Sequence, residues 1–174
     1  SQKGTGKWMV NDALEHGIPL TLISEAVFAR TLSAQKDARL KAAAHFGNSR
    51  QPSTSDRQAV INAVHDALYA SKIIAYTQGF MLLQDAAKTY GWQLDYATIA
   101  LIWRGGCIIR SRFLNDISTA FHNNPALENL LLDDFFSKAI QECAYGWRTT
   151  LKHAIDCAIP MPAMASALAF FDAY

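Results

Sequence analysis

The chain has 174 residues, of which 51% are hydrophobic and 18% charged. That apolar share is enough to build a core and excludes a disordered tail. Sixteen Lys and Arg against fifteen Asp and Glu leave a net charge of +1, which argues against nucleic acid as a main partner, because phosphate backbones select strongly basic faces.

No run of about 18 apolar residues occurs, so no membrane partner is expected. Ser1-Gln2-Lys3-Gly4 lacks the apolar core of a signal peptide. The first residue is not Met, and the chain stops inside the apolar stretch 169–174. Both features predict a chain cut or processed from something longer. Cys107, Cys143 and Cys157 show no C-x-x-C spacing, which predicts reduced, partly buried thiols in a cytoplasmic protein and no metal site.

Helical periodicity runs nearly throughout, without strand alternation or a hairpin signal. Gly4, Thr5 and Gly6 head a first helix that carries Trp8, Met9 and Leu14 and ends at Gly17. Pro19 suits the start of a second helix, about 20–33, with Leu22, Ile23, Ala26, Val27 and Ala29 inward. A third runs from Lys36 to Phe46, and residues 47–55 read as a loop. From Asp56 to Tyr90 no proline intervenes, and Val60, Val64 and Leu68, then Ile73, Tyr76, Phe80, Leu83, Ala87 and Tyr90, recur at steps of three or four. This predicts one long helix of about 35 residues, some 50 Å, spanning the domain. Gly79 marks a weak point or a close helix approach. Asp95 caps the next helix, Gly105-Gly106 breaks it, and a further helix carries Ile108, Ile109, Phe113, Leu114, Ile117 and Phe121. Short helical turns through 127–132 lead to Asp133, the cap of a helix to about Ala158. Pro160-Met161-Pro162 then separates off a last helix over 163–174. The predicted fold class is all-α, a helical array around one long central helix.

Lys3-Gly4-Thr5-Gly6-Lys7 is the strongest chemical candidate. Glycines at a helix start expose backbone N–H groups, and the helix dipole favours an anion there. The stretch is neither a P-loop nor a dinucleotide fingerprint. The bland alternative is a solvated, glycine-rich helix start. Arg30 follows the apolar Ala26–Ala29 and reads either as an ion pair within its helix layer, with Glu25 at hand, or as an anion ligand. In Trp103-Arg104-Gly105-Gly106-Cys107-Ile108-Ile109-Arg110, the glycines favour close helix packing and the arginines a buried polar network, with an anion grip as the alternative. Cys107 lacks a nearby His for nucleophilic work. The five histidines show no ligand spacing, and no self-sufficient catalytic set emerges.

Lys3-Gly4-Thr5-Gly6-Lys7-Trp8 is similar to the end of the signature of the decarboxylating 6-phosphogluconate dehydrogenases. Segments 23–30 (ISEAVFAR), 68–74 (LYASKII), 78–83 (QGFMLL), 102–111 (IWRGGCIIRS), 130–136 (LLLDDFF) and 159–162 (IPMP) also resemble that family in order and spacing. The resemblance covers all but the loop at 47–55. It implies that residues 1–174 form part of a helical substrate-binding and dimerisation domain. It further implies NADP-dependent oxidation of 6-phosphogluconate to ribulose 5-phosphate and carbon dioxide, in the pentose phosphate pathway, by a cytoplasmic homodimer. Lys3, Thr5 and Arg30 match family positions that bind the substrate, largely at its phosphate, whereas Arg104 and Arg110 gain no catalytic role. The catalytic lysine and glutamate and the nucleotide-binding glycines are implied upstream, and a partner-completing arginine and histidine downstream. No catalytic, cofactor-binding or metal-binding residue is therefore expected here, and the chain alone is expected to be inactive. The alternative reading is a non-catalytic helical scaffold module, which has no need of Lys3, Thr5 and Arg30 together.

Overall fold

The computed structural model describes residues 4–47, 53 and 56–174. Among them, eight α-helices follow in order: α1 (Thr5–His16), α2 (Thr21–Ala34), α3 (Lys36–Phe46), α4 (Arg57–Tyr90), α5 (Tyr96–Gly106), α6 (Leu114–Asn123), α7 (Asp134–Asp156) and α8 (Pro162–Ala173). A 3-10 turn covers Leu130–Leu132, and no strand occurs among the described residues. The all-α class and the long central helix are as the sequence predicts.

Local chemistry sets most of the boundaries. Asp56 accepts from the Ala59 N–H at 2.8 Å and starts α4. Asp95 accepts from the Thr98 N–H at 3.1 Å and starts α5. Asp133 accepts from Phe135 and Phe136 at the head of α7. Each side chain satisfies a donor that the first helical turn leaves without a partner. Gly17 and Gly91 close α1 and α4 in the left-handed conformation, and Pro162 opens α8.

The 34-residue α4 is the axis against which α7, α8, α1 and α2 pack. Its second half is buried on several sides, through Ile73, Ile74, Tyr76, Phe80 and Leu82. Trp147 of α7 and Phe136 are fully buried in the same core, with Leu114, Ile117 and Phe121 of α6. The Trp147 indole N–H donates to the Met164 carbonyl at 3.3 Å, which ties α7 to α8.

Several expectations need correction. In the first half of α4 the stripe at Val60, Val64 and Leu68 does not face the core; Ala63, Ala67 and Ala70 do, and Leu68 is 50% exposed. Small residues win that face because α7 crosses there at Gly146, where a side chain would collide with Asp66. Ala26 of α2 is exposed rather than inward. The helix expected to carry Ile108 begins only at Leu114; Ile108 is 98% exposed, on a turn. Gly105 and Gly106 end α5 with nothing packed against them, so they serve no close helix contact. Arg104 and Arg110 are exposed and form no buried network; Arg104 instead donates to Asn115 at 2.5 Å. Cys107 is exposed, while Cys143 and Cys157 are buried. Every residue of α3 is exposed.

Candidate functional site: an anion cleft between two helices

Gly4 caps α1 with a φ of +92°, a left-handed backbone that suits glycine, and contributes no side-chain cap. The first-turn N–H groups of Thr5, Gly6 and Lys7 therefore have neither an intrahelical acceptor nor a capping side chain. They carry the positive end of the helix dipole, worth about 0.3–1 kcal/mol toward an anion at an exposed site. No acidic residue stands in that first turn.

Helix α2 forms the other wall. Thr5, Gly6 and Lys7 of α1 share a cavity of about 280 Å³ with Ile23, Ala26, Val27 and Arg30 of α2. Two cationic side chains, a hydroxyl and the helix start thus meet over an apolar floor. No carboxylate lines the cleft among the described residues. The helices come this close because Gly6 has no side chain: a Cβ there would stand 2.9 Å from Val27 Cγ2.

The structure places Thr5 and Arg30 in the lining of one cleft. Lys3 lies outside the described residues. The intrahelical pairing considered for Arg30 does not form. Glu25 lines a different, apolar groove with Phe28, Leu32 and Met161, and no ion pair joins it to Arg30 among the described residues.

Two further polar features anchor these walls and were missed from the sequence. His16 Nδ1 lies 2.7 Å from Asp85 Oδ2, linking the end of α1 to α4. The buried Gln78 accepts from the Leu22 N–H at 3.1 Å and donates to Thr21 Oγ1 at 2.9 Å. The one available signal was an amide inside the apolar run 73–83, a position that demands partners.

The remaining chemical candidates stay apart from the cleft. Cys107 Sγ donates to the Trp103 carbonyl, and the buried Cys157, which caps the end of α7, lies 3.7 Å from His153. Among the described residues, no group of three or more His, Cys, Asp or Glu could hold a metal ion. No helix among them is long and apolar enough to cross a membrane.

Residues 1–174 match the family model of the 6-phosphogluconate dehydrogenase C-terminal domain. The chain is 53% identical over 174 residues to the decarboxylating 6-phosphogluconate dehydrogenase of Ovis aries, covering 99% of this chain and 36% of that protein. It is 55% identical to the Caenorhabditis elegans enzyme and 52% identical to the Homo sapiens enzyme, with the same coverage. It therefore spans little more than a third of the length of these relatives. The solved Plasmodium falciparum 6-phosphogluconate dehydrogenase superposes with a TM-score of 0.94 at 40% identity, over 99% of this chain and 38% of that one. That protein was solved in its apo form, with its cofactor NADP+ and with its substrate 6-phosphogluconate. On its matched residues, its fold and its relatives, the chain belongs to the 6-phosphogluconate dehydrogenase C-terminal domain family.

Proposed function

We propose that this chain is the helical, substrate-gripping part of a decarboxylating 6-phosphogluconate dehydrogenase, which converts 6-phosphogluconate to ribulose 5-phosphate and carbon dioxide. One observation carries this reading: Thr5, Lys7 and Arg30, from two helices, line one cleft with no carboxylate among its described lining residues. A scaffold module gives no reason for that arrangement. The Plasmodium relative, solved with its substrate, supports the identity of the ligand.

In this reading the substrate's phosphate lies against the first-turn N–H groups of α1. The Thr5 hydroxyl donates to one oxygen, and the Arg30 guanidinium closes from α2 with two parallel N–H donors. Lys3 adds a further charge. The grip orients the sugar acid but moves no proton, since acid–base catalysis needs groups within hydrogen-bond reach of the reacting carbons. NADP would supply the hydride acceptor for this oxidation. The described residues include no strand running into a glycine-rich turn, the arrangement that seats a pyrophosphate, so they do not fit the cofactor and none of them is assigned to it.

The homodimer belongs to the same proposal. Leu40 and Phe46 on α3, and Ile61 and Leu68 on α4, are large apolar side chains left exposed, as a partner-covered face requires. A cytoplasmic location accords with three cysteines left as free thiols.

The test is NADPH formation. The 174-residue chain, given 6-phosphogluconate and NADP, forms none. Spliced in place of its counterpart in the sheep enzyme, the segment supports turnover. Arg30→Ala in that hybrid raises KM roughly 10- to 100-fold, the worth of charge-assisted hydrogen bonds. Turnover by the chain alone, or an unchanged KM in the variant, overturns the reading.

A further inference from the structure

Helices α1 and α2 form a hairpin. Its open end carries Thr5 and Arg30, and its closed end rests on the C-terminal half of α4. The apolar hold on α4 is modest: Ala13, Leu20 and Leu82 form a small buried cluster separate from the main core, flanked by Met9, Ile18 and Ile23, while α2 also packs along α8. Two polar clips reinforce it. His16, with a side chain only 9% exposed, meets Asp85 at 2.7 Å. Gln78, fully buried, bonds to Leu22 and Thr21 at once. Leu20, which precedes α2, provides no side-chain cap, so Gln78 caps α2 from another helix. Gln78 and Asp85 stand seven residues apart on α4, two turns along one face.

We propose that Gln78 and the His16–Asp85 pair are positioning residues for the anion cleft. They fix the closed end of the hairpin on α4 and so set where Thr5 and Arg30 stand at its open end. The functional half of this inference rests on the cleft gripping the substrate's phosphate. The leverage is geometric. At 1.5 Å per residue, Thr5 lies about 16 Å along α1 from His16, and Arg30 about 12 Å along α2 from Leu22. A tilt of a few degrees at the closed end becomes a shift of about 1 Å at the mouth, enough to spoil alignment with a bound group.

The test uses the 174-residue chain with Gln78→Met, which keeps the volume and removes both hydrogen bonds, and with Asp85→Leu. Amide hydrogen exchange is read helix by helix, and 6-phosphogluconate binding is followed by NMR titration. Asp85→Leu is expected to speed exchange in α1 and α2 by roughly 2- to 12-fold, the range for one lost hydrogen bond, and Gln78→Met, which loses two, by at least as much, while α7 and α8 keep their protection. Affinity falls by a similar factor, and Asp85→Asn, which still accepts from His16, restores both. In an Arg30→Ala background the loss caused by Gln78→Met shrinks, because the clip acts through that arginine.

Exchange that rises uniformly in all helices, or stays unchanged in α1 and α2, overturns the clips. Local loosening without any change in affinity overturns the positioning role alone. A wild-type chain that does not bind 6-phosphogluconate defeats the cleft reading, and the positioning role with it.

Discussion

Gly6 of α1 lies directly against Val27 of α2, so close that a Cβ on Gly6 would stand 2.9 Å from Val27 Cγ2. This contact sets the width of the anion cleft, since both residues line it. Gly6→Ala gains helix propensity but wedges the helices apart against a stiff, β-branched neighbour. The two effects oppose each other in stability, while the cleft pays for the displacement. Binding of 6-phosphogluconate should therefore weaken more than stability changes. Val27→Ala should recover part of the loss, with a coupling of at least about 0.5 kcal/mol in a double-mutant cycle. Additive effects of the two substitutions on binding would contradict this.

The glycines at 105 and 106 behave differently from Gly146. A Cβ on Gly146 would stand 2.8 Å from Asp66 Cβ, at the crossing of α4 and α7, and neither helix can yield cheaply. Gly146→Ala should cost about 1–3 kcal/mol, the usual range for an overpacked core. At Gly105 and Gly106 nothing lies within 4 Å of an added Cβ, so Ala at either site should leave stability unchanged or raise it by up to about 1 kcal/mol. Urea unfolding of the three variants checks the order.

Two carboxylates should tilt the pH profile of stability in opposite directions. Burial raises the Asp116 carboxyl above its ordinary range. Its contribution is present below the unfolded value, about 4, and is lost as pH rises through the folded one. Asp116→Asn should therefore be more stable than the parent at neutral pH, and the advantage should vanish in acid. Hydrogen bonds from the Thr98 side chain and backbone lower Asp95. Its contribution is present above the unfolded value and lost as pH falls through the folded one. Asp95→Asn should be the less stable form at neutral pH, with the gap closing in acid. Thermal unfolding from pH 3 to 7 reads both, and curves parallel to the parent would contradict the assignment.

The three thiols should react in two classes. Cys107 is exposed, whereas Cys143 and Cys157 are 7% and 5% exposed. Burial, with Asp66 and Glu142 nearby, pushes the Cys143 thiol up and so depletes its reactive thiolate. A disulfide reagent should give one fast equivalent and two slow ones, and Cys107→Ser should abolish the fast phase. A fast phase that survives this substitution would place the reactive thiol elsewhere.

Much of the fold was legible in the sequence because its signals are local. The caps at Asp95 and Asp133, the stops at Gly17 and Gly91, and Pro162 at the head of α8 each act within one turn. Which face of α4 is buried was not legible. Val60, Val64 and Leu68 repeat with the same period as the alanines that pack, and only the approach of Gly146, distant in sequence, decides between them. The turn after Gly106 was read as helix because its apolar residues keep helical spacing, yet Ile108 is left open to solvent. At the cleft, the glycine-rich start of α1 was legible from helix-dipole physics, whereas Arg30 joined it only through family resemblance. His16–Asp85 and Gln78–Leu22 span 69 and 56 residues, and no local pattern announces such pairs.

The most direct test of the central claim is an NMR titration of the 174-residue chain with 6-phosphogluconate, set beside gluconate and inorganic phosphate. The account expects 6-phosphogluconate and phosphate to shift the amides of Thr5, Gly6 and Lys7 and the Arg30 side chain. Gluconate should leave them in place, and Arg30→Ala should weaken the phosphorylated ligand roughly 10- to 100-fold. Equal shifts from gluconate, or phosphate-dependent shifts confined to other helices, would show that the cleft between α1 and α2 does not hold the phosphate.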